Sequence, residues 1–190
     1  MLCSRARIDG YRTALDEAGV AVDPGLVRYG DFFVGGGYTH GMDLLDRPDR
    51  PTAIFAGSDF QALGVMRAAR ELGLRVPEDL SIVGYDDLPL TEWIGPPLTT
   101  IHQPLYEMAA TATRMVPGMA RGEAPTNPRI ELGTELVERE VEQRHGQATV
   151  AGGAVLSRIT SSVPSSMRGL VGASPRAMPG TIRVAVAAIS

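Results

Sequence analysis

Ile8, Tyr11, Leu15 and Ala18 recur three and four residues apart and Gly19 follows, so the chain opens on an amphipathic helix closed by a glycine C-cap. Residues 26–29, LVRY, predict a short strand. The glycines at 35–37 predict a flexible turn, followed by a weaker helix over 39–47 that Pro48 stops. A fully apolar strand comes next in PTAIFAG, 51–57. A helix over 59–72 capped by Gly73 and the strand LSIVGY, 80–85, complete the alternation. Strand and helix trading places at short intervals point to a parallel sheet flanked by helices, an α/β fold.

The pattern changes after Pro97. LTTIHQ, 98–103, is a short extended stretch, and Pro104 starts a helix that runs to about Gly122. RIEL, 129–132, and TELVERE, 134–140, are strand-like. Residues 144–190 are rich in Gly, Ser, Ala and Pro and hold neither period for long, which predicts a low-complexity, disordered tail. The alternative for its apolar end, TIRVAVAAIS, is a helix or strand that docks on the body.

Charge sharpens this division. All 18 basic residues are arginine, and five of them lie after Gln143, where no acidic residue occurs; residues 1–143 therefore set 13 Arg against 22 acidic residues, a net charge of −9. Such a surface is wrong for gripping a phosphate backbone unaided. No apolar stretch approaches the roughly 20 residues that cross a bilayer, and the start turns charged too soon for a signal peptide, so a cytoplasmic location is expected. The single cysteine, Cys3, cannot form an internal disulfide.

In an open parallel sheet, ligands bind beyond the carboxyl ends of the strands, where loops converge. Three strands of this chain end in polar or aromatic residues: Gly30, Asp31 and Phe32; Ser58 and Asp59; Asp86 and Asp87. Asp59 or Ser58 can cap the helix that follows, and Asp59 is the better candidate for that structural task. No helix follows Asp86 directly, so its carboxylate is free to accept hydrogen bonds from ligand hydroxyls, which sugars supply. Arg7 lies one turn before Tyr11, beside the apolar stripe of the first helix, where its fork of donors could reach inward or stay exposed. Of Phe32 and Phe33, one is expected to stack on a sugar ring and the other to pack in the core.

Other signals exclude more than they suggest. Residues 35–37 lack the Lys and the Ser or Thr of a phosphate-binding loop. His40, His102 and His145 have no metal-ligand spacing and no partner cysteine, so neither a metal nor a cofactor is expected. A hydrolytic set of Ser58, His102 and Asp86 has no G-x-S-x-G elbow behind it, and an enzyme is not expected.

The stretch from Pro51 to Pro104, PTAIFAGSDFQALGVMRAARELGLRVPEDLSIVGYDDLPLTEWIGPPLTTIHQP, resembles the sensor domain of the lactose/galactose-repressor (LacI/GalR) family of bacterial transcriptional regulators. RIDGYRTALDEAG at 7–19 and ELVERE at 135–140 are similar to that family's flanking segments. The resemblance implies a partial periplasmic-binding-protein-like fold over 1–143. Residues 5–101 would form the C-terminal subdomain, 102–132 a remnant of the N-terminal subdomain and 133–143 a closing strand. It implies a small effector, usually a sugar, held by Arg7, Phe32, Ser58 and Asp86, with Asp59 and Leu105 as further candidates. Ser58 stands where relatives often carry Asn.

Leu63, Trp93 and Ile94 fall on the family's homodimer face, although Trp93 could equally be core. The resemblance also implies that the helix-turn-helix and the first half of the sensor are absent, so that operator DNA would be met only through the missing module. Segment 102–132 would then pack on little and expose an apolar patch. The rival with the same fold is a periplasmic-type sugar-binding protein for transport.

Overall fold

The computed structural model describes residues 2–124, 127, 129–139 and 183–189. Its larger sheet is wholly parallel, with β1 (Val27–Gly30), β2 (Ala53–Ala56), β3 (Ser81–Val83) and β6 (Val184–Ile189) in the order β1-β6-β2-β3. Helix α1 (Leu2–Glu17) covers one face; α2 (Val34–Leu45) and α3 (Asp59–Glu71) cover the other. The period-2 alternation of each strand divides its side chains between two cores. Ala53, Phe55, Val83 and Val186 join Ile8, Tyr11, Ala14 and Leu15 of α1. Ile54, Ala56, Ile82 and Ala185 join Leu44, Ala62, Val65 and Ala69 of α2 and α3.

Gly19 and Gly73 take positive φ, 68° and 72°, as the C-caps expected of α1 and α3 require. The glycines at 35–37 do not form the flexible turn expected of them, because they lie inside α2. There Gly37 faces Gly64 of α3. A Cβ on Gly37 would collide with the Gln61 backbone, and one on Gly64 with Val34 O and Tyr38 N. The two helices therefore touch backbone to backbone, which only glycine permits.

Beyond β3 the chain runs alongside it through parallel bridges from Val83 to Thr99 and from Asp86 to His102. It then forms β4 (Thr100–His102), which pairs antiparallel with β5 (Glu135–Val137). Residues 129–132, expected as a strand, take no regular structure. Helix α4 (Leu105–Ala120) buries none of its residues. Leu105, Tyr106, Met108, Val116 and Met119 on it, and Ile130 beyond it, are each exposed.

The expected disorder of 144–190 fails at its apolar end. Val184–Ile189 is a strand in the middle of the sheet, paired on both sides, and Ala185 and Val186 are fully buried. The docked alternative holds there because a strand between two partners satisfies its whole backbone while burying both faces. The rest of that segment lies outside the described residues.

Candidate functional site

The carboxyl ends of β1, β2 and β3 point to one edge of the sheet, and α1 starts at that edge. Arg7, in the second turn of α1, donates from Nη1 to the carbonyl oxygen of Gly57 at 2.6 Å. Its guanidinium carbon lies 3.7 Å from the centroid of the Tyr85 ring and 5.8 Å from that of Phe32. One side chain from α1 thereby meets the ends of all three strands. Stacked cation and ring hold each other in place, and the guanidinium keeps donors for a ligand.

Asp86 follows Tyr85 with φ of 121°, and Asp87 has φ of 58°. Positive φ is costly for residues other than glycine, so the loop must be held from outside. The N–H of Asp86 donates to Ile101 O at 2.9 Å, and Gln103 Nε2 donates to Asp86 Oδ1 at 2.5 Å. Asp87 accepts from Arg139 Nη2 at 3.0 Å and lies 2.9 Å from His102 Nδ1. Burial pushes the Asp86 carboxyl above its ordinary range, against the lowering effects of the Arg7 charge and the Gln103 hydrogen bond. A half-buried carboxylate beside a guanidinium and two rings can take hydroxyl donors, give N–H donors to oxygens and stack against the C–H face of a ring.

Two residues expected to touch the effector do other work. Ser58 is 1% exposed. Its hydroxyl donates to Phe32 O at 3.0 Å and accepts from Gln61 N at 3.1 Å, so Ser58, not Asp59, is the N-cap of α3. With both capacities used and no access to solvent, its hydroxyl holds the Phe32 loop from below. Asp59 is fully buried, accepting from Leu88 N at 2.8 Å and Thr100 Oγ1 at 2.5 Å. Burial, first of several causes, raises its carboxyl as well.

Phe33 is 69% exposed and caps α2 from outside, so neither phenylalanine enters the core. Leu105 is half-exposed, two residues beyond Gln103. Ser58 and His102 bond to different partners, so they form no nucleophile and base pair. No cluster of metal-ligating side chains occurs among the described residues. Trp93 is 86% exposed, Leu63 half-buried, and Ile94 packs partly against the larger core.

Sequence reasoning passed over Tyr85, Gln61, Gln103 and Arg139. Gln61 donates from Nε2 to Asp31 O, fixing the loop that carries Phe32. Its signal was available, since Ser58-x-x-Gln61 has the spacing of a capping box. Gln103 and Arg139 carry no such local signal, because Gln103 follows β4, Arg139 follows β5, and each bonds to an aspartate distant in sequence.

The sequence matches the family model of the periplasmic binding protein-like domain over residues 3–140. It is 44% identical over 135 residues to the HTH-type transcriptional repressor CytR of Escherichia coli (strain K12), covering 71% of this chain and 38% of that protein. To the ribose operon repressor of the same organism it is 40% identical over 138 residues, covering 72% and 41%. Among solved structures, the complex of the transcriptional regulator CelR with cellobiose superposes with a TM-score of 0.65 at 42% identity, over 70% of this chain and 41% of that one. The chain spans about two fifths of the length of these relatives. With its parallel sheet, its strand-end cluster and these matches, the chain belongs to the periplasmic-binding-protein-like domain family and corresponds to the sensor region of LacI-family regulators.

Proposed function

We propose that this chain is the effector-sensing and dimerising part of a LacI-type transcriptional regulator and that its effector is a sugar. The observation that carries the reading is the meeting of Arg7 with Gly57, Phe32 and Tyr85 beside the half-buried Asp86. Asp86 accepts sugar hydroxyls, Arg7 donates to sugar oxygens, and Phe32 offers its ring face; Leu105 contributes an apolar wall. The CelR relative holds cellobiose in its structure, which supports the same ligand class here. Ligand binding then biases the closure of two subdomains and with it the regulator's affinity for its operator.

The exposed Trp93, with Leu63 and Ile94, supplies the homodimer face. Operator DNA is contacted by a different part of the regulator, in keeping with the net charge of −9 on residues 1–143. The protein acts in the cytoplasm and catalyses no reaction. Relatives that are transcriptional repressors favour this reading over a transport role. Calorimetric titration of the full chain with cellobiose and with ribose tests it: saturable heat with either sugar that Asp86→Ala abolishes is expected. An Asp86→Ala variant that binds as the parent does removes Asp86 from the site.

A further inference from the structure

A single buried residue grips the loop that presents Asp86 at both of its ends. The N–H of Asp59 donates to Tyr85 O at 2.8 Å, and its Oδ2 accepts from Leu88 N at 2.8 Å. Between these two bonds lie only Asp86 and Asp87, which alone among the described residues other than glycine have positive φ. The second carboxylate oxygen, Oδ1, accepts from the Thr100 hydroxyl at 2.5 Å, and Thr100 Oγ1 accepts in turn from Asp87 N at 3.4 Å. Oδ1 also fills the space beside Gly84, where a Cβ would collide with it. Asp59 thus touches, directly or through Thr100, every residue from Gly84 to Leu88 except Asp86 itself.

Strained backbone persists only where its surroundings over-determine it, and Asp59 supplies that restraint from α3, in addition to Ile101, Gln103 and Arg139. The helix itself has no need of this carboxylate, because Ser58 already serves as its N-cap. Asp59 is 0% exposed, so it cannot touch a ligand and acts through its neighbours. We infer that Asp59 is a positioning residue of the ligand site: by bonding to the backbone on either side of Asp86, it sets where that carboxylate and the Tyr85 ring stand. Tyr85 carries the Arg7 guanidinium 3.7 Å from its ring centroid, so the acceptor and the donor of the site both depend on this one span. That the ligand is a sugar rests on the proposed function; the positioning of the loop does not.

Hydrogen exchange of the full chain without ligand tests the positioning. The reporter is the Asp86 amide, which bonds to Ile101 O and not to Asp59. At matched global stability it is expected to exchange about tenfold faster in Asp59→Ala than in Gly64→Ala, a destabilised variant that leaves the bonds of the loop in place. Asp59→Asn, which can still bond to Leu88 and Thr100, is expected to return this rate to within about threefold of the parent. Equal Asp86 exchange in Asp59→Ala and Gly64→Ala overturns the inference. Should Asp59→Ala fail to fold, Thr100→Val, which keeps the shape and removes the hydroxyl, is judged by the same comparison. Titration with cellobiose and ribose well below Tm supplies the second arm. Asp59→Ala is expected to bind about tenfold more weakly than the parent, and Gly64→Ala to bind as the parent does. Parental affinity in Asp59→Ala overturns the inference. A parent that takes up neither sugar sinks the sugar reading alone, and the exchange comparison still decides the positioning.

Discussion

Arg7 Nη1 lies 2.6 Å from the carbonyl oxygen of Gly57, which ties the first helix of the chain to the carboxyl end of β2. One planar group therefore serves the fold and faces the ligand edge. Lysine can supply the charge but neither the fork nor the stack on Tyr85. Arg7→Lys is expected to weaken sugar binding about tenfold and Arg7→Ala about a hundredfold, in line with roughly 1.5–3 kcal/mol for a charged hydrogen bond. Calorimetry with cellobiose and ribose reads this, and thermal unfolding reads the smaller loss of the Gly57 contact.

The raised carboxyl of Asp86 gives a pH dependence of definite sign. Its folded pKa lies above the unfolded one because burial disfavours the charge. Between those two values the folded chain binds the proton more tightly, so the contribution of Asp86 to stability falls as pH rises through the window. On the proposed reading, sugar binding needs the ionised form and is expected to rise through the same window. Asp86→Asn removes the titration. Its stability relative to the parent is therefore expected to improve from low to neutral pH while its sugar binding stays weak throughout, as paired thermal melts and titrations at matched pH would show.

Asp59 has the same raised direction but a structural duty. Asp59→Ala leaves the Leu88 N–H and the Thr100 hydroxyl without the acceptor they share, a cost of about 1–3 kcal/mol for buried groups. Asp59→Asn can still accept from Leu88 and donate to Thr100, and is expected to lose less than half as much. Chemical denaturation of both variants checks the difference.

Gly10 and Gly64 make opposite predictions for one substitution. Both lie within helices, where Gly→Ala ordinarily stabilises by about 0.5–1 kcal/mol. A Cβ on Gly10 meets nothing within 4 Å, so Gly10→Ala is expected to raise Tm. On Gly64 the Cβ would strike the backbone of α2, which cannot move aside without parting the two helices, so Gly64→Ala is expected to lower Tm by several degrees.

Gly64 and the glycines at 35–37 mark where sequence reading stops. Helix and strand periods in residues 7–102 were legible because each element buries one face or both, and burial writes the period. Glycine in α2 reads as a turn by propensity alone; the close approach of α3 that overrides propensity involves a residue nearly thirty positions away. Ser58 and Asp59 are both good caps and adjacent, so nothing local decides between them. Strand β6 was obscured by the composition preceding it, since its partners β1 and β2 lie more than a hundred residues earlier in the chain.

Arg139 shows how the site depends on a residue that lies outside it. Its side chain is 12% exposed and bridges Asp87 Oδ1 at 3.0 Å and Leu98 O at 3.1 Å, holding from just beyond β5 a loop whose two aspartates both have positive φ. Removing Asp87 separates the ion pair from the backbone strain. Asp87→Ala and Asp87→Gly delete the same carboxylate and leave Arg139 and His102 equally without it, yet only glycine adopts φ of 58° without steric cost. Asp87→Gly is therefore expected to be the more stable variant by about 1 kcal/mol, the usual penalty for a side chain in the left-handed region. Arg139→Ala keeps the strain and loses the restraint, so it is expected to weaken sugar binding as well as stability although Arg139 does not reach the Arg7 cluster. Equal stabilities for the two Asp87 variants in denaturant titrations would show that the loop is not strained at that position.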